Sequence, residues 1–307
     1  MKVLVCDPIS QTGIDFLKQQ EGLEVSVLDR CHSEKELLPL VGDVSAMAVR
    51  SETKVTKALL EAAPDMKIVG RAGVGVDNID IEAATQNGVI VMNTPGGNTI
   101  ATCELTFSMM MALARNIPQA HGSMAAGEWN RKAFKGIELY GKTLGVLGMG
   151  RIGGEVARRA LAFGMRVLAF DPYITPSRAK ALQVELSSLD DVYAAADFIT
   201  VHMPLTDETR GMLSKETFAK MKSSVRLLNC ARGGIVSEAD LIEALQAGQI
   251  GGAALDVFER EPLDAAAGAV FAGVPNLILT PHIAGVTRES NVRVSAVTAA
   301  AVRRHLT

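Results

Sequence analysis

Short apolar runs rich in β-branched residues alternate with helix-like segments along almost the whole chain. Such runs are typical of strands that are buried on both faces of a parallel sheet. One series of strands is predicted at Lys2–Cys6, Leu23–Leu28, Ala46–Val49, Lys67–Val69 and Val89–Met92. A second series is predicted at Thr143–Leu147, Arg166–Phe170, Phe198–Val201, Val225–Leu228, Gly252–Leu255 and Leu277–Leu279. The alternation therefore predicts an α/β fold with two doubly wound, Rossmann-like parallel sheets.

The length of 307 residues also favours two domains. A long helical pattern, Thr99 to Ala126, joins the two series of strands. An amphipathic segment, Thr287 to Leu306, follows the last strand, and we expect it to return to the first domain. The first domain is then discontinuous in sequence.

Charge and cysteine usage exclude several classes of protein. The net charge is −3, with both signs scattered along the chain, so we expect no nucleic-acid partner. Asp7 precedes any signal-peptide apolar region, and the apolar stretch Leu105 to Ala114 is too short to span a bilayer. The four cysteines form no CxxC pair. We expect reduced thiols, a cytoplasmic location and no membrane association.

A glycine-rich turn lies between the strand Thr143–Leu147 and a helical segment. Its GxGxxG spacing places Gly148 in the tight turn, Gly150 where a pyrophosphate approaches the backbone, and Gly153 where the helix packs on the strand. GxGxxG alone is weak evidence, but the next strand ends at Asp171, where a carboxylate can bind ribose hydroxyls. The pattern predicts a dinucleotide site with its phosphates at the helix N-terminus.

Asp171 also indicates which dinucleotide is bound. A carboxylate repels a 2′-phosphate by about 1–4 kcal/mol at contact distance. Pro172 and Tyr173 follow it, so no adjacent arginine neutralises a phosphate. We therefore expect NAD rather than NADP, the alternative being that Asp171 is an ordinary carboxylate at a strand end.

Three loops that follow late strands carry reactive residues, namely Arg232, Glu261 and His282. Loops at the carboxyl ends of parallel strands share one edge of the sheet, so we expect the three to share a cleft with the dinucleotide. A histidine suits the transfer of a hydroxyl proton, and a glutamate can orient its ring and favour the protonated form. An arginine matches a substrate carboxylate. Together they predict oxidation of an alcohol next to a carboxylate.

Each residue alone has a simpler interpretation. Arg232 could be a surface turn residue, Glu261 a solvated loop acid and His282 a buried histidine with satisfied hydrogen bonds. His202 is a rival base, for which we favour a structural role or one in the cofactor wall. No HxxxH, HExxH or paired Cys/His set indicates a metal, and no serine-hydrolase or triphosphatase motif is present.

At these residues the sequence resembles the D-isomer-specific 2-hydroxyacid dehydrogenase family, and most closely its phosphoglycerate dehydrogenase branch. The resemblance covers nearly the whole chain. It is carried by Val49–Ser51, Arg71–Asn78, Asn93–Asn98, Gly148–Gly153, Asn229–Gly234, Asp256–Pro262 and Pro281–His282.

The resemblance implies a role for each matching residue. The catalytic residues are Arg232, Glu261 and His282, with His282 as the acid and base. The substrate-binding residues are Arg50, Ser51, Val74, Gly75, Asn98 and Arg232. The cofactor-binding residues are Gly148, Gly150, Arg151, Ile152, Gly153, Asp171, Met203, Cys230, Asp256, His282 and Gly285, with Asp256 facing the nicotinamide amide and Arg232 also lining the cofactor.

The family also implies how the chain is organised. We expect a substrate-binding domain of residues 1–98 and 286–307, an NAD-binding domain of residues 99–285, and a homodimer joined through the central domain near Trp129–Lys132. Because the sequence ends at Thr307, we expect a short form without a regulatory C-terminal domain or serine feedback. Val74, Cys103 and Met203 depart from residues common in this branch, and they leave the substrate open.

The leading hypothesis is NAD-linked interconversion of D-3-phosphoglycerate and 3-phosphohydroxypyruvate, as in serine biosynthesis. Hydroxypyruvate, glyoxylate, sulfolactate and lactate are alternative substrates within the family, and oxidation of a formate- or phosphite-like anion is a further one. An NAD(H)-sensing protein similar to the family's corepressors is the alternative from another functional class.

Overall fold

The computed structural model describes residues 1–306, which divide into two compact units. The first unit combines residues 1–98 with the segment that begins at Gly285, and the second runs from Thr99 to Ala284. Each unit has its own parallel sheet, so the prediction of two parallel-sheet α/β domains is confirmed.

The first unit is built on five strands. They are β1 Lys2–Val5, β2 Glu24–Val27, β3 Val44–Val49, β4 Ile68–Arg71 and β5 Ile90–Met92. Its helices are α1 Gln11–Lys18, α2 Glu34–Leu37, α3 Lys57–Glu61, α4 Ile81–Gln86 and α13 Arg288–Leu306, with a 3₁₀ turn at Leu38–Leu40. The strands are all parallel, in the order β2-β1-β3-β4-β5. The chain's last helix, α13, packs against α1, β3 and β4 of this unit.

The second unit is built on seven strands. They are β6 Thr143–Leu147, β7 Arg166–Phe170, β8 Glu185–Leu186, β9 Phe198–Val201, β10 Arg226–Asn229, β11 Gly252–Leu255 and β12 Leu277–Leu279. Its helices are α5 Thr99–Arg115, α6 Ile117–Ala125, α7 Arg151–Ala162, α8 Pro176–Ala181, α9 Leu189–Ala195, α10 Lys215–Phe218, α11 Glu238–Gln246 and α12 Ala265–Gly268, with 3₁₀ turns at Arg131–Phe134 and Ala269–Phe271.

The order of the second sheet is β12-β11-β10-β9-β6-β7-β8, and every strand is parallel to its neighbours. Counted from β6 as the first strand, this is the 3-2-1-4-5-6 order of dinucleotide-binding folds with one strand added. The strand order reverses between β6 and β9, which is where such folds bind their ligand. The helix that follows β6 is α7, and it begins at this point.

Two local details differ from the sequence-based expectation. The predicted long helix Thr99 to Ala126 is two helices, α5 and α6, separated by Asn116 in the left-handed conformation with φ of 52°. Pro118 lies in the first turn of α6, where its missing N–H costs no hydrogen bond. The second sheet also contains β8, an exposed strand of two residues that is too short to leave a hydrophobic pattern.

Many of the shorter helices begin at a residue whose side chain caps the helix N-terminus. The side chains of Ser10, Thr56 and Asp80 accept N–H bonds at the start of α1, α3 and α4, and Ser188 and Ser237 do so for α9 and α11. Among residues 1–306, no helix combines the length and apolar character that crossing a membrane requires.

Candidate active site

The glycine-rich turn lies directly after β6, at the reversal of strand order. Gly148 has φ of 95°, and a Cβ there would lie 2.6 Å from the carbonyl oxygen of His202. At Gly153 a Cβ would lie 2.0 Å from the carbonyl oxygen of Gly148, so only glycine lets α7 approach the turn. Gly150, by contrast, faces open space, with no atom within 4 Å of the Cβ position. This is the cradle that a pyrophosphate needs, so the residues present fit a dinucleotide.

Asp171 ends the next strand and ties the turn in place. Its Oδ2 accepts a hydrogen bond of 2.7 Å from the N–H of Met149, and its Oδ1 accepts one of 2.8 Å from the N–H of Tyr173. The carboxylate therefore lies beside the glycine turn, where a ribose follows the pyrophosphate. The predicted contact between Asp171 and the ribose stays a prediction.

Four further predicted cofactor residues of this unit lie near the turn or in the core below it. Met203 borders Gly148, and its Cγ would lie 2.9 Å from a Cβ at that position. Arg151 is exposed and Ile152 half-buried in the first turn of α7. Cys230 is buried, with Sγ 3.6 Å from Sδ of Met109, and burial raises the pKa of its thiol to about 12. Cys230 is therefore a neutral, apolar wall residue.

His282 and Glu261 form a hydrogen-bonded pair. Nδ1 of His282 lies 2.6 Å from Oε2 of Glu261, and the other carboxylate oxygen accepts a 2.9 Å bond from the N–H of Phe258. Partial burial raises the pKa of Glu261, but the bonds from His282 and Phe258 and the charge of Arg232 outweigh it, so that the net pKa is below its usual range. The carboxylate is thus ionised where it meets the ring.

The loop of Arg232 lies against the loop of Glu261. A Cβ at Gly233 would lie 1.7 Å from the carbonyl oxygen of Phe258, so the two backbones touch at this glycine. The amide of Asn229 closes the Arg232 loop, with Nδ2 donating to the carbonyl oxygen of Arg232 at 2.9 Å and Oδ1 accepting from the N–H of Ala231 at 3.0 Å. The structure therefore brings the imidazole, the carboxylate and the guanidinium to one edge of the sheet.

Asp256 anchors the loop that carries His282. Its carboxylate is fully buried and accepts three hydrogen bonds, from Thr280 Oγ1 at 2.6 Å, from the N–H of Ile283 at 2.9 Å and from the N–H of Ala284 at 2.8 Å. His282 between them has φ of 52°, a left-handed conformation that such a closed loop can hold. The sequence analysis did not single out Asn229 or Thr280. The hydrogen bond of Thr280 to Asp256 joins the loops of two neighbouring strands and leaves no local signal, whereas the bonds of Asn229 lie within its own loop.

His202, the rival base, differs from His282 in its surroundings. Its Nε2 lies 2.9 Å from Oγ1 of Thr200, and loss of hydration lowers the pKa of the ring to about 3. No carboxylate among the described residues hydrogen-bonds to it. The ring is therefore neutral near pH 7, and nothing in its surroundings stabilises a proton taken from a substrate.

Apart from Arg232, the predicted substrate residues lie in the first unit and are described within it. Arg50 directly follows β3 and Arg71 ends β4, so two arginines stand on paired strands at one edge of the sheet. Val74 and Gly75 are half-buried in the loop after β4, whereas Ser51 is exposed. Sequence analysis did not assign a role to Arg71.

Asn98 ends the first segment of this unit and Gly285 begins its second segment, and the two residues lie in contact. A Cβ at Gly285 would lie 3.0 Å from Nδ2 of Asn98. Oδ1 of Asn98 is buried and has no hydrogen-bond partner among residues 1–306. A buried amide oxygen without a partner is uncommon, and a ligand or an ordered water would supply the missing donor.

A sheet in dinucleotide-binding order, with a glycine turn at its switch point and a His–Glu pair beside an arginine, defines a dinucleotide-binding α/β protein with an acid–base site. Residues 107–284 match the model of the D-isomer specific 2-hydroxyacid dehydrogenase, NAD binding domain. The chain belongs to the D-isomer-specific 2-hydroxyacid dehydrogenase family, and this segment is its NAD-binding domain.

Curated relatives agree with this family. The chain is 51% identical over 295 residues to D-3-phosphoglycerate dehydrogenase of Bacillus subtilis (strain 168), covering 96% of this chain and 55% of that one. It is 48% identical over 292 residues to the Homo sapiens protein of the same name, covering 95% and 54%. The chain therefore spans about half the length of these relatives.

Solved structures share the fold over its whole length. The TT0316 protein from Thermus thermophilus is 36% identical with a TM-score of 0.90, and the match covers 99% of this chain and 97% of that one. The D-lactate dehydrogenase from Aquifex aeolicus, complexed with NAD and lactic acid, is 28% identical with a TM-score of 0.88, covering 100% and 95%.

Proposed function

We propose that this protein interconverts a D-2-hydroxy acid and its 2-oxo acid by NAD-linked hydride transfer at C2. The hydrogen bond between Glu261 and Nδ1 of His282 carries this proposal, because a carboxylate only accepts and so assigns the Nδ1 proton. Among the described residues no hydrogen bond engages Nε2 of His282, which leaves that nitrogen to receive the hydroxyl proton. NAD, when bound, supplies the hydride acceptor.

We assign roles to the other residues from the charges that develop as the hydride leaves C2 and from the charges of the substrate and cofactor. As Nε2 of His282 gains a proton, the carboxylate of Glu261 stabilises the imidazolium. Arg232 holds the substrate carboxylate with its forked donors and polarises the neighbouring oxygen. Asp171 favours NAD over NADP, and the second unit is the NAD-binding domain, while the first unit is the substrate-binding domain.

The test compares two histidines of the same unit. Replacement of His282 by Asn lowers kcat by on the order of 10²–10⁴-fold, with NADH binding retained in a fluorescence titration. In the matched variant His202→Asn, the factor by which kcat falls should be at least tenfold smaller than in His282→Asn. If His282→Asn retained wild-type turnover, the protein would not use this base, and an NAD(H)-sensing role would gain support.

For the substrate we propose D-3-phosphoglycerate and 3-phosphohydroxypyruvate. Relatives between 46% and 51% identical are named for this substrate. Arg50 follows β3 and Arg71 ends the neighbouring strand β4, so two arginines lie at one edge of this sheet, and a guanidinium matches the geometry of a phosphate group. Asn98, Val74 and Gly75 are the further proposed contacts.

The substrate test distinguishes recognition of the phosphate group from the reaction at C2, by comparing substrates with and without a phosphate. NADH oxidation is followed with phosphohydroxypyruvate, hydroxypyruvate, glyoxylate, pyruvate and sulfopyruvate. The variant Arg50→Gln should lose on the order of tenfold or more in kcat/KM for phosphohydroxypyruvate, and much less for hydroxypyruvate, which lacks the phosphate. Faster turnover of glyoxylate or sulfopyruvate by the wild-type protein would reject this substrate and keep the reaction class.

We further propose a homodimer in the cytoplasm. The helix α6 has no buried residue, its Ile117 and Met124 are 52% and 53% exposed, and Trp129, which follows the helix, is 77% exposed. Such an apolar surface suits a second copy of the chain. All four cysteines are free, which suits a reducing compartment. Light scattering should give a dimer mass for the wild-type protein and a smaller mass for Trp129→Ser combined with Met124→Ser.

A further inference from the structure

A polar cavity lies at the opposite edge of the second sheet from the His–Glu pair. Its volume is about 260 Å³. Arg226 begins β10, Gly251 and Asn276 precede β11 and β12, and all three line it. Its other polar walls are Asn116, Gln119 and Lys135. No residue of the proposed active site takes part.

Two cationic side chains face this cavity without an acidic partner. Arg226 is half-buried, with its guanidinium 5.7 Å from the ring centre of Phe198 and one N–H donated to the carbonyl oxygen of Ser224 at 3.1 Å. Within residues 1–306, neither Arg226 nor Lys135 forms an ion pair. Arg226 is the partly desolvated cation of the two, since Lys135 is exposed, and a desolvated cation without a carboxylate is stabilised when an anion joins it.

Amide groups complete the wall. The side chains of Gln119 and Asn276 are exposed and form no hydrogen bond within the described chain, so their donors are open to a ligand. Asn116 donates to the carbonyl oxygen of Lys135 at 3.4 Å, and its side chain does not cap α6. The N-terminus of α6 therefore adds its partial positive charge to that of the two cations. Five donor-bearing side chains converge, and no carboxylate lines the cavity.

We propose that this cavity binds a small multivalent oxyanion, a phosphate or a polycarboxylate, separately from the active site. The two cations supply the charge, the amides supply directed donors, and the volume admits an anion of this size with bound water. A monovalent anion such as chloride gains less from the pair of cations and makes no multidentate contact. The site is thus selective for oxyanions that carry at least two negative charges.

The position of the cavity predicts its effect. Arg226, Gly251 and Asn276 lie at the amino ends of β10, β11 and β12, whose carboxyl ends lead into the loops of Arg232, Glu261 and His282. The strands are three or four residues long, so the two edges are on the order of 10 Å apart. A bound anion therefore fastens together the strands that carry the catalytic loops, and we expect it to stabilise this unit.

Thermal unfolding measures this binding. The Tm is recorded in inorganic phosphate, in sulfate and in citrate, at constant ionic strength made up with sodium chloride and with saturating NADH to fill the dinucleotide site. The Tm should rise with the logarithm of the multivalent anion concentration. Phosphate and sulfate acting more strongly than citrate would assign a phosphate-like ligand, and the reverse order a polycarboxylate.

Variants locate the effect. Lys135→Gln and Asn276→Asp should each remove at least half of the anion-induced rise in Tm, measured against the same variant in chloride. Lys180→Gln removes an exposed lysine of α8 that forms no ion pair and should keep the whole rise. Arg50→Gln, which removes a proposed phosphate contact of the substrate, measures the part of the rise that comes from the substrate site. Arg226→Lys, which retains the charge, should keep more of the rise than Arg226→Gln.

Two results would overturn the proposal. One is an equal rise in Tm in wild type, Lys135→Gln and Asn276→Asp, because the anion then binds elsewhere. The other is a loss of the dimer in Lys135→Gln without any change in the anion response, because a second chain would then fill the cavity. Neither result bears on the dehydrogenase proposal, which His282→Asn tests.

Discussion

Glu261 bridges a ring and a backbone, with Oε2 2.6 Å from Nδ1 of His282 and Oε1 2.9 Å from the N–H of Phe258. The two bonds hold the carboxylate in a single orientation, and the carboxylate in turn holds the ring. The bond to Phe258 is local to the loop of Glu261, whereas the bond to His282 joins two loops from neighbouring strands. The orientation of the proposed base therefore depends on one side chain.

Replacement of Glu261 by Gln should lower kcat by on the order of 10²-fold while NADH binding is retained. The limb of the pH–rate profile that reports imidazole protonation should move to lower pH, because a neutral amide no longer stabilises the imidazolium. Steady-state kinetics between pH 5 and pH 10 measure both effects. An unchanged pH profile would show that Glu261 does not act on the ring.

The lowered pKa of Glu261 also predicts a pH dependence of stability. Its ionised form is favoured in the folded state, so its contribution is fully present above its ordinary pKa of 4.5 and is lost as the pH falls through the lowered value. The free energy of unfolding of Glu261→Gln should therefore decrease less steeply than that of the wild type as the pH falls through this range. Asp190→Asn, which alters an exposed ion pair with Lys220, is the control and should leave the steepness nearly unchanged.

Replacement of Asp256 by Asn should cost about 1–3 kcal/mol in the free energy of unfolding. An amide oxygen cannot accept all three bonds from the 280–284 loop, and the amide group introduces a donor next to backbone N–H groups. We expect kcat to fall as well, because the same loop holds His282. Denaturant titration and turnover are measured together, and Thr280→Val should reproduce part of both losses. A variant as stable and active as wild type would contradict the anchoring role.

Gly150 and Gly153 offer a matched pair of alanine substitutions. Gly150→Ala should leave the Tm nearly unchanged but weaken NADH binding by about tenfold or more, since its Cβ meets no protein atom and occupies the space for the phosphates. Gly153→Ala should lower the Tm, since its Cβ would lie 2.0 Å from the carbonyl oxygen of Gly148. Calorimetry with and without NADH distinguishes the two. Equal NADH affinity in Gly150→Ala and wild type would place the dinucleotide elsewhere.

Asp171→Ser should reduce the preference for NADH over NADPH by about tenfold or more. The charge that repels a 2′-phosphate is lost, while a hydroxyl can still accept one bond from the N–H of Met149. Dissociation constants for both dinucleotides give the ratio directly. A wild-type protein that binds NADPH more tightly would already contradict the prediction.

The sequence predicted much of the fold because apolar runs report burial directly. The predicted strands Thr143–Leu147, Arg166–Phe170, Phe198–Val201, Gly252–Leu255 and Leu277–Leu279 have the observed bounds. It did not reveal β8, which is exposed and two residues long, or the break at Asn116, where one residue in the left-handed conformation separates two segments that are each helical.

By itself, the sequence determined the period of the strands, the glycine turn at Gly148–Gly153 and the presence of Arg232, Glu261 and His282 after strands, since each is a property of neighbouring residues. Only the tertiary structure decided which side chains meet. The bond from His282 to Glu261, the three bonds from the 280–284 loop to Asp256, and the cavity around Arg226 join residues far apart in the chain. Those contacts depend on the order and register of the strands, which no local pattern encodes.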